Sequence, residues 1–576
     1  MYIGIDVGTG SVRAALVEHS GQLVASSTRP TVTFRDDHDH RIFEQSTTDI
    51  WQGICASVRD VLKQSQCPPE NIKGIGIDAT CSLAVTDADG QPVIVTKGDD
   101  LGKLGNRNII LWADHRAEEE AEIINKTGAK ALAYVGGTMS LEMEVPKMLW
   151  LKNRMSPSLF SRCHFFDLPD YLTYRATRSR TRSSCSLTCK CSFLPDSGWD
   201  KAFFEQIGLG DFAKDGYALI GAERGPKDVL TAGLPVSEGL SEEAARELGL
   251  IPGTPVGSGV IDAYAGWIGT IAARYKRDGK PSDAPTLDES RHRLAAVAGT
   301  STCHLVQSPD GVFVNGVWGP YKNVVFPGWW MNEGGQSSTG QLIDFMITTH
   351  PAYPKLVERA KNENTNIHNV LADQLNHLRK EAGVENLTEL TKDMHIYPDL
   401  HGNRSPIADP RMRGAITGLT LDHGLSDLAR KFNVTLEAIA LQTKHIIDSM
   451  NASGHTIQII YISGGQTKNK PLMQLFANTC GIPVVLPAST NDAVTLGAAM
   501  LGRFAAEAGK GGKMKEGVEQ AKALWDIMVE MTSPGTLIAP AASPKEKRLL
   551  EVKYKIFRES IEIQKRWRDE IEAACG

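Results

Sequence analysis

Two short turns of small residues carry groups that could bind a phosphate chain. Asp6-Val7-Gly8-Thr9-Gly10 ends the first apolar run of the chain, and Ala298-Gly299-Thr300-Ser301 ends a similar run in the second half. Turns of this kind expose backbone N–H groups and hydroxyls to an anion without obstruction by side chains. If the two halves face each other, the turns would bind a polyphosphate from opposite sides, and Asp6 would help to hold Mg²⁺ through water.

No Gly-x-x-x-x-Gly-Lys-Ser/Thr sequence occurs in the chain, so a P-loop is excluded. Asp262 follows the glycine-rich stretch 252–259. Taken alone, this carboxylate fits a helix N-cap as well as it fits a proton acceptor in catalysis. The cysteines at 185, 189 and 191 lack Cys-x-x-Cys spacing and a nearby histidine, which favours structural thiols over a metal site.

The elements that must position these groups occur twice. In each half a hairpin with a small-residue turn precedes a helix and then an apolar strand. The predicted elements are strands 3–7, 12–17 and 72–77 with a helix over 49–65 capped by Thr48, and strands 294–298, 302–306 and 457–462 with a helix capped by Thr435. The repetition indicates an internal duplication, and strands alternating with helices indicate an α/β fold.

The sequence predicts two domains that meet at a cleft. We place the first over residues 1–265 and the second over 266–576, because a glycine-rich stretch gives way to a new helix at that point. Residues 276–293 are polar without periodicity and predict a surface insertion. The amphipathic tail 545–574 predicts a helix that packs on the second domain, with a dimer contact as the alternative; its apolar positions are Leu549, Val552, Ile556, Ile563, Trp567 and Ile571.

Composition is that of a globular protein. Hydrophobic residues make up 41% and charged residues 23% of the 576 positions, and the formal net charge is -6. This balance gives no reason to expect a nucleic-acid partner, and no apolar stretch is long enough to cross a membrane. Ten cysteines in so long a chain do not make a disulfide framework, so we expect a reducing, cytoplasmic compartment.

Five segments together resemble the FGGY carbohydrate kinases, a family of the actin-like ATPase superfamily. They are IGIDVGTGSVRAAL at 3–16, GSGVIDAYAG at 257–266, AGTSTCHL at 298–305, HGNRSPIADP at 401–410 and SGGQTKNKPLMQLFANTCGIPVVLP at 463–487. The resemblance runs from Met1 to about Arg503. It implies two duplicated actin-like (ribonuclease H-like) domains with a catalytic cleft between them, and the transfer of phosphate from ATP to a small sugar.

The resemblance also implies roles at matching positions. Asp262 matches the aspartate that deprotonates the acceptor hydroxyl. The positions implied to contact ATP are Gly8, Thr9, Gly10, Ser11, Arg13, Gly299, Thr300, Gly464, Gly465 and Asn469. The positions implied on the sugar side, besides Asp262, are Asp78, Cys81, Trp112, Asp114, Arg116, Lys190 and Glu333. For Asp114 and Arg116 a surface ion pair is the alternative.

The choice of sugar depends on a few of these positions. Glu333 lies in a segment similar to the Glu-x-Gly-Gln segment of ribulokinases, and Lys190, in a predicted apolar strand, matches their substrate lysine. Cys81 stands where xylulose kinases usually carry a histidine. The resemblance therefore implies D-ribulose as the substrate and D-ribulose 5-phosphate, a pentose phosphate, as the product. The alternatives are L-ribulose, ribitol or xylulose, a non-catalytic sugar or nucleotide sensor, or a chaperone-like ATPase.

Overall fold

A computed structural model describes residues 1–223, 225–508 and 516–575. The strands are β1 Tyr2–Val7, β2 Ser11–Val17, β3 Leu23–Pro30, β4 Phe34–Arg35, β5 Phe43–Gln45, β6 Gly74–Ala79, β7 Leu83–Thr86, β8 Ile109–Ile110, β9 His164–Asp167, β10 Arg182–Ser183, β11 Val229–Leu230, β12 Val260–Ile261, β13 Tyr275–Arg277, β14 Lys280–Pro281, β15 Arg293–Ala298, β16 Thr302–Ser308, β17 Trp318–Lys322, β18 Trp330–Gln336, β19 His395–Tyr397, β20 Ala415–Thr417, β21 Ile459–Ser463, β22 Val484–Leu486 and β23 Gly535–Ile538.

The α-helices are α1 Thr47–Ser65, α2 Glu118–Lys126, α3 Glu144–Arg154, α4 Pro157–Phe160, α5 Leu168–Thr177, α6 Ser184–Lys190, α7 Lys201–Gln206, α8 Asp211–Lys214, α9 Glu242–Leu248, α10 Asp262–Ile268, α11 Gly340–Thr348, α12 Tyr353–Asn362, α13 Ile367–Glu381, α14 Leu387–Leu390, α15 Leu425–Ala452, α16 Lys470–Cys480, α17 Ala493–Ala508, α18 Gly517–Met531 and α19 Pro544–Cys575. Short 3₁₀ turns cover Pro69–Asn71, Lys130–Tyr134, Gly225–Asp228, Asp288–His292 and Gly465–Lys468.

The two halves contain the same five-stranded pattern. The first sheet has the order β12-β6-β1-β2-β3, in which β1, β2 and β3 are antiparallel and β1, β6 and β12 are parallel. The second sheet repeats this order as β22-β21-β15-β16-β18, with the same strand directions, inside a sheet of nine strands. The duplication and the α/β class predicted from the sequence are confirmed.

A third sheet, of order β4-β5-β8-β7-β9, lies in the first half. Strand β7 follows β6 after three residues that include Cys81, and β8 leads directly into the segment that contains Trp112. This sheet therefore positions several residues of the predicted sugar side.

Two predicted helix starts are wrong. Helix α1 begins at Thr47, and Ser46 is the cap, because its side chain accepts a hydrogen bond from the backbone N–H of Asp49. Thr435 lies within α15 rather than at its start, and its hydroxyl donates to the carbonyl of Lys431 at 2.8 Å. A threonine can form this bond inside a helix, so its presence does not by itself mark an end.

The segment 276–293 is not structureless. Strand β13 pairs in parallel with β23 and antiparallel with β14, and so extends one edge of the nine-stranded sheet. The carbonyl of Pro285 accepts a hydrogen bond of 2.8 Å from the indole N–H of Trp525 in α18. The segment is ordered by strand pairing to a distant part of the chain, and such pairing leaves no apolar periodicity in the segment's own sequence. The predicted boundary at 265–266 falls inside α10, and we propose a boundary after this helix instead.

The C-terminal helix α19 packs on the second half, as predicted, and of the six predicted apolar positions Leu549, Ile556 and Ile563 are half-buried. Phe557 and Ile561 lie in an apolar cluster with residues of β19 and α15. By contrast, Val552, Trp567 and Ile571 are 55%, 58% and 65% exposed. Buried Lys553, which donates to the carbonyl of Thr391 at 2.7 Å, explains the difference, because apolar periodicity cannot detect a charged residue on the packed face. The homodimer stays a prediction.

Helix α17 of the second half packs across the sheet of the first half at very short distance. A Cβ atom on Gly76 of β6 would lie 1.8 Å from the carbonyl oxygen of Ala498 in α17. A Cβ atom on Gly497 of α17 would lie 2.0 Å from the carbonyl oxygen of Ala265 in α10. Backbone contact of this kind requires glycine, and it joins the halves. No helix in the described ranges is long and apolar enough to cross a membrane.

We expect Gly76→Ala to lower the free energy of unfolding by about 2 kcal/mol or more, since the added methyl group overlaps a backbone oxygen that cannot move alone. Denaturant titration followed by circular dichroism measures this loss. Gly10→Ala is the control, because no atom lies within 4 Å of its added Cβ. Equal stability of the two variants would contradict the close packing of α17.

Candidate active site

Three carboxylates converge at one edge of the first sheet. Asp6 of β1 is paired in register with Asp78 of β6, and Asp78 is in turn paired with Val260 of β12. Asp262 follows directly after β12. Because these strands are parallel, their carboxyl ends lie at the same edge, where ligands of α/β sheets bind. Asp6 is 8% and Asp78 0% exposed, whereas Asp262 is partly exposed.

Burial raises the pKa values of all three groups, and repulsion by acidic neighbours raises those of Asp78 and Asp262 further. Burial, followed by the charge of Asp6, raises the pKa of Asp262 to about 7. Burial also raises the pKa of Asp6, although Arg13, 3.7 Å away, opposes this change. The pKa of Asp78 is raised well above its usual range by burial and then by its two acidic neighbours. A carboxylate with a pKa near neutrality is suited to accept a proton from a hydroxyl.

Asp262 is not the N-cap of α10. Ile261 occupies that position, and Asp262 is the first residue of the helix. One oxygen of Asp262 accepts a hydrogen bond of 2.7 Å from the N–H of Ala263, while its charge faces Asp6. The N-cap interpretation is therefore wrong, and the catalytic role stays a prediction.

The first small-residue turn is closed by its own backbone and held by neighbouring side chains. The N–H of Gly8 donates to the carbonyl of Ser11 at 2.9 Å. The indole N–H of Trp112 donates to the hydroxyl of Thr9 at 2.8 Å, and the amide of Gln45 donates to the carbonyl of Thr9 at the same distance. Space beside Gly10 is open, so a phosphate group can approach the backbone there.

The second turn is joined to the segment around 464–469. Gln466 donates to the carbonyl of Gly299 at 2.9 Å, and a Cβ atom on Gly464 would lie 2.3 Å from the carbonyl oxygen of Ala298. Gly464 has φ +95°, which other residues rarely adopt. Thr300 follows Gly299 in this turn. Open space beside both Gly299 and Gly465 leaves their backbones accessible.

Both turns border the loop that precedes α17. The N–H of Gly464 donates to the carbonyl of Thr490 at 2.8 Å. From the other half, the guanidinium of Arg13 reaches the carbonyl of Asn491, at 3.5 Å. The structure therefore places Arg13, which follows the first turn, and Gly464, which packs on the second turn, at the same loop. Asn469 caps α16 by accepting a hydrogen bond of 3.1 Å from the N–H of Leu472.

Glu333 of β18 lies at the centre of a buried charged cluster. Arg404 donates to one of its carboxylate oxygens, and the hydroxyl of Tyr264 donates to the other at 3.1 Å. The ammonium of Lys190 lies 3.8 Å from the second oxygen and 4.3 Å from the centre of the Trp318 ring. Both oxygens of Glu333 thus have partners within the protein, and its contact with a sugar stays a prediction.

Sequence reasoning did not single out two members of this cluster, Arg404 and Tyr264. Arg404 lies in the 401–410 segment, but a single arginine gave no indication of its partner. Its guanidinium also lies 4.0 Å from the centre of the Trp318 ring and 4.0 Å from a carboxylate oxygen of Glu142. Tyr264 lies in the 257–266 segment, two residues after Asp262, and that proximity is a signal for its place in the site. Lys190 ends helix α6, so its predicted strand is wrong.

Asp114 and Arg116 form a buried ion pair, not a surface one. Arg116 donates to Asp114 at 2.7 Å and to Glu44 at 2.8 Å, and Asp114 also accepts a hydrogen bond of 2.7 Å from the N–H of Phe43. These bonds fasten β5 to the segment that carries Trp112. The surface alternative is wrong because Asp114 is 1% and Arg116 5% exposed, and their contact with a sugar stays a prediction.

Cys81 lies at the edge of the Glu333 cluster. Burial raises the pKa of its thiol well above the usual range, and the ammonium of Lys190 opposes that change. The thiol is therefore neutral. Among the residues that the structure describes, no group of three His, Cys, Asp or Glu side chains is arranged to hold a metal ion. The sulfur of Cys185 instead accepts a hydrogen bond of 3.4 Å from the N–H of Ile261.

The chain is similar to known proteins along most of its length. Residues 1–269 match the N-terminal domain, and residues 294–506 the C-terminal domain, of the FGGY family of carbohydrate kinases. A D-ribulokinase of Saccharomyces cerevisiae is 44% identical over 526 residues, which cover 88% of this chain and 72% of the relative. An FGGY carbohydrate kinase domain-containing protein of Homo sapiens is 41% identical and covers 98% of this chain and 97% of its own.

Solved structures show the fold. A xylulose kinase from Rhodospirillum rubrum has a TM-score of 0.73 at 20% identity, and the match covers 98% of this chain and 99% of the other. A glycerol kinase from Plasmodium falciparum, solved with ADP, has a TM-score of 0.70 at 15% identity and 97% coverage of both chains. The two-domain, actin-like fold predicted from the sequence is thus confirmed.

If the two turns bind ATP, Gly10→Val and Gly299→Val should each raise the KM for ATP by about tenfold or more, because a branched side chain would occupy the open space where phosphate approaches the backbone. Steady-state kinetics at saturating sugar measures this change. Sugar affinity without nucleotide, measured by calorimetry, should stay within about twofold. A parallel fall of both affinities would show that these glycines maintain the fold instead.

Proposed function

The chain belongs to the FGGY family of carbohydrate kinases, and from this premise we propose that it transfers the γ-phosphoryl group of ATP to the terminal hydroxyl of D-ribulose. The observation that carries the proposal is the position of Asp262. Its carboxylate, with a pKa of about 7, lies beside Asp6 of the first phosphate turn and within electrostatic reach of Glu333 and Lys190. A proton acceptor between a phosphate site and a polar buried cluster is what a sugar kinase requires.

In the proposed mechanism the sugar hydroxyl donates its proton to Asp262 as the phosphoryl group arrives. Little covalent chemistry is required of the protein, so catalysis consists mainly of positioning and of stabilising charge. The turns at Gly8–Ser11 and Gly299–Ser301 orient the phosphates, and Arg13 balances the developing negative charge beside Asp6. Closure of the cleft excludes water, which otherwise competes with the sugar as acceptor.

The residues at the sheet edge fit Mg²⁺. Asp6 and Asp78 supply carboxylate oxygens, the ligand type that this ion prefers, and both oxygens of Asp78 are buried without a hydrogen-bond partner in the described parts of the chain. One or two protein carboxylates suffice, since Mg²⁺ keeps several waters and binds substrate phosphates. When bound with ATP, the ion neutralises charge on the phosphates.

D-ribulose is proposed on two grounds. The D-ribulokinase of Saccharomyces cerevisiae is 44% identical to this chain, and Lys190 and Glu333 lie together where the resemblance predicts sugar contacts. L-ribulose, ribitol and xylulose are the alternatives within the class. A non-catalytic sensor on the same scaffold would need no base, so Asp262 supports an enzyme.

All ten cysteines are free, which supports the proposed cytoplasmic location.

Asp262→Asn should fold and bind ATP but lower kcat by at least ~10²-fold, because the amide cannot accept a proton. In the wild type, Asp262 is deprotonated above a pH of about 7, so kcat/KM for the sugar should fall as pH decreases through 7. The pH profile of steady-state turnover measures this. A near-normal rate in the variant, or a profile without the acid limb, would remove Asp262 from the mechanism.

We expect D-ribulose to be preferred over D-xylulose, which differs in the configuration at C3, by at least ~10-fold in kcat/KM. Glu333→Gln should lower kcat/KM for D-ribulose by ~10²-fold, since it disturbs the pairing of Lys190 and Arg404, and should leave the KM for ATP nearly unchanged. Coupled ADP-release assays over a panel of pentuloses and pentitols measure both.

Glu437→Gln is the matched control for this variant. Glu437 is also buried and paired with a buried lysine, Lys553, but this pair lies between α15 and α19. Glu437→Gln should therefore lower the stability of the protein without changing its preference between sugars. If the wild type turns over D-xylulose as well as or better than D-ribulose, the proposal of D-ribulose as substrate is rejected. The assignment as a carbohydrate kinase remains.

A further inference from the structure

The guanidinium of Arg404 lies in a space that only a glycine at position 335 leaves open. Side chains alternate along β18, so Glu333 and Gly335 point to one face of the sheet and Gly334 points to the other. A Cβ atom on Gly335 would lie 2.7 Å from both Cζ and Nε of Arg404. The guanidinium therefore lies directly on the backbone of β18, next to the carboxylate that it bonds.

Three further contacts fix the guanidinium of Arg404. Its Cζ atom lies 4.0 Å from the centre of the Trp318 ring, and Trp318 is paired with Glu333 across the strands. Its Nη1 atom donates to the sulfur of Cys303 at 3.6 Å and lies 4.0 Å from the carboxylate of Glu142 in the first half. A planar guanidinium that is held on several sides keeps one orientation, and so does a carboxylate that is bonded to it.

The loop that carries Arg404 is held in place as well. The side chain of Asn403 accepts a hydrogen bond of 2.9 Å from the N–H of Ile407. A Cβ atom on Gly316 would lie 2.0 Å from the carbonyl oxygen of Pro406, so the loop also packs closely on the chain before β17. Arg404 therefore enters the cluster from a loop whose own contacts fix its course.

The pair of Arg404 and Glu333 is joined both to the proposed base and to the second phosphate turn. Tyr264, whose hydroxyl donates to Glu333 at 3.1 Å, follows Asp262 by two residues in α10. Cys303 is the second residue of β16, which begins directly after the second turn. Arg404 and Cys303 are partly exposed, so this wall is accessible. An acceptor sugar must lie between a base and the phosphoryl group that it receives, so the pair borders the space for the acceptor.

The carboxylate of Glu333 keeps capacity for a substrate. A carboxylate has about four acceptor positions, and Arg404 and Tyr264 use one at each oxygen. The ammonium of Lys190, at 3.8 Å, is beyond hydrogen-bond distance. Each oxygen can therefore accept one more hydrogen bond, such as that from a sugar hydroxyl. The orientation of the carboxylate decides whether this bond forms, and a displacement of about 1 Å in a site can cost ~10²-fold in rate.

We propose that Arg404 is a positioning residue of the acceptor site: seated on Gly335, it fixes the carboxylate of Glu333 in the orientation that binds the sugar. This inference rests on the proposed function. It also explains the glycine of the Glu-x-Gly-Gln segment, which is Gly335 in this chain, because a side chain there would displace the guanidinium.

Two adjacent glycines supply the test. Gly335→Ala should lower kcat/KM for D-ribulose by at least ~30-fold, because the added methyl group displaces the guanidinium and with it the carboxylate. Gly334→Ala is the matched control, since its Cβ would instead lie 2.9 Å and 3.1 Å from side-chain carbons of Ile446 and Met450 on the other face. This control crowds the core but should keep kcat/KM within ~3-fold, and both variants should keep the KM for ATP within about twofold.

A double-mutant cycle separates the seating of Arg404 from a general effect on the fold. Arg404→Met should lower kcat/KM for D-ribulose by ~10²-fold, and adding Gly335→Ala should cost less than about threefold more, because no guanidinium remains to be displaced. The losses from Arg404→Met and Glu333→Gln should likewise not add, since the two residues act as a unit. Arg404→Lys keeps the charge without the planar fork, so it should restore only part of the activity.

Equal effects of Gly335→Ala and Gly334→Ala on kcat/KM would overturn the inference, as would a full further loss when Gly335→Ala is added to Arg404→Met. If Gly335→Ala does not fold, the cycle of Arg404→Met with Glu333→Gln decides, and additive losses reject the inference. If the wild type phosphorylates another sugar, the D-ribulose proposal fails, and the same variants are compared with that sugar. If it phosphorylates none, the proposed function fails, and calorimetry of D-ribulose binding to these variants decides on the role of Arg404.

Discussion

The burial of three carboxylates at one sheet edge is the constraint on which the site depends. Asp6, Asp78 and Asp262 are placed there by the parallel alignment of β1, β6 and β12, which offers no freedom to separate them. Like charges at short distance in a poorly solvated place raise each other's pKa values. Arg13 provides a nearby cation for Asp6. The carboxylates at this edge are therefore stabilised by a proton or by a bound cation. For the same reason an aspartate at this edge can have a pKa near neutrality, as Asp262 does.

A second buried cluster is balanced differently. Glu333 has two cationic neighbours, Arg404 and Lys190, which compensate its charge. Breaking such a cluster by removing one partner is costly, because the remaining charge stays buried. Its members come from both halves of the chain: Lys190 from α6, and Glu333 with Arg404 from the second half. The contacts of this cluster therefore join the two halves.

The sequence allowed the fold class and the two small-residue turns to be predicted, because both depend on local patterns. Gly10 and Gly299 lie in turns that can be recognised from the types of a few neighbouring residues. The charged clusters could not be predicted in the same way. Arg404 meets Glu333 across 71 positions of the chain, and a lone arginine gives no sign of such a partner. Part of the packed face of α19 was missed for a similar reason, since Lys553 is buried by an ion pair formed with a distant helix.

The duplication accounts for the division of labour between the halves. The same five-stranded pattern ends in three carboxylates in the first half, whereas in the second half its corresponding edge carries the glycines at 299, 464 and 465. The first copy thus presents carboxylate side chains at this edge, whereas the second presents the backbone of glycines. Helix α17 connects them, because it follows directly from the loop that both phosphate turns border and then packs on β6 through Gly76. Helix α17 therefore links this loop directly to the strand that carries Asp78.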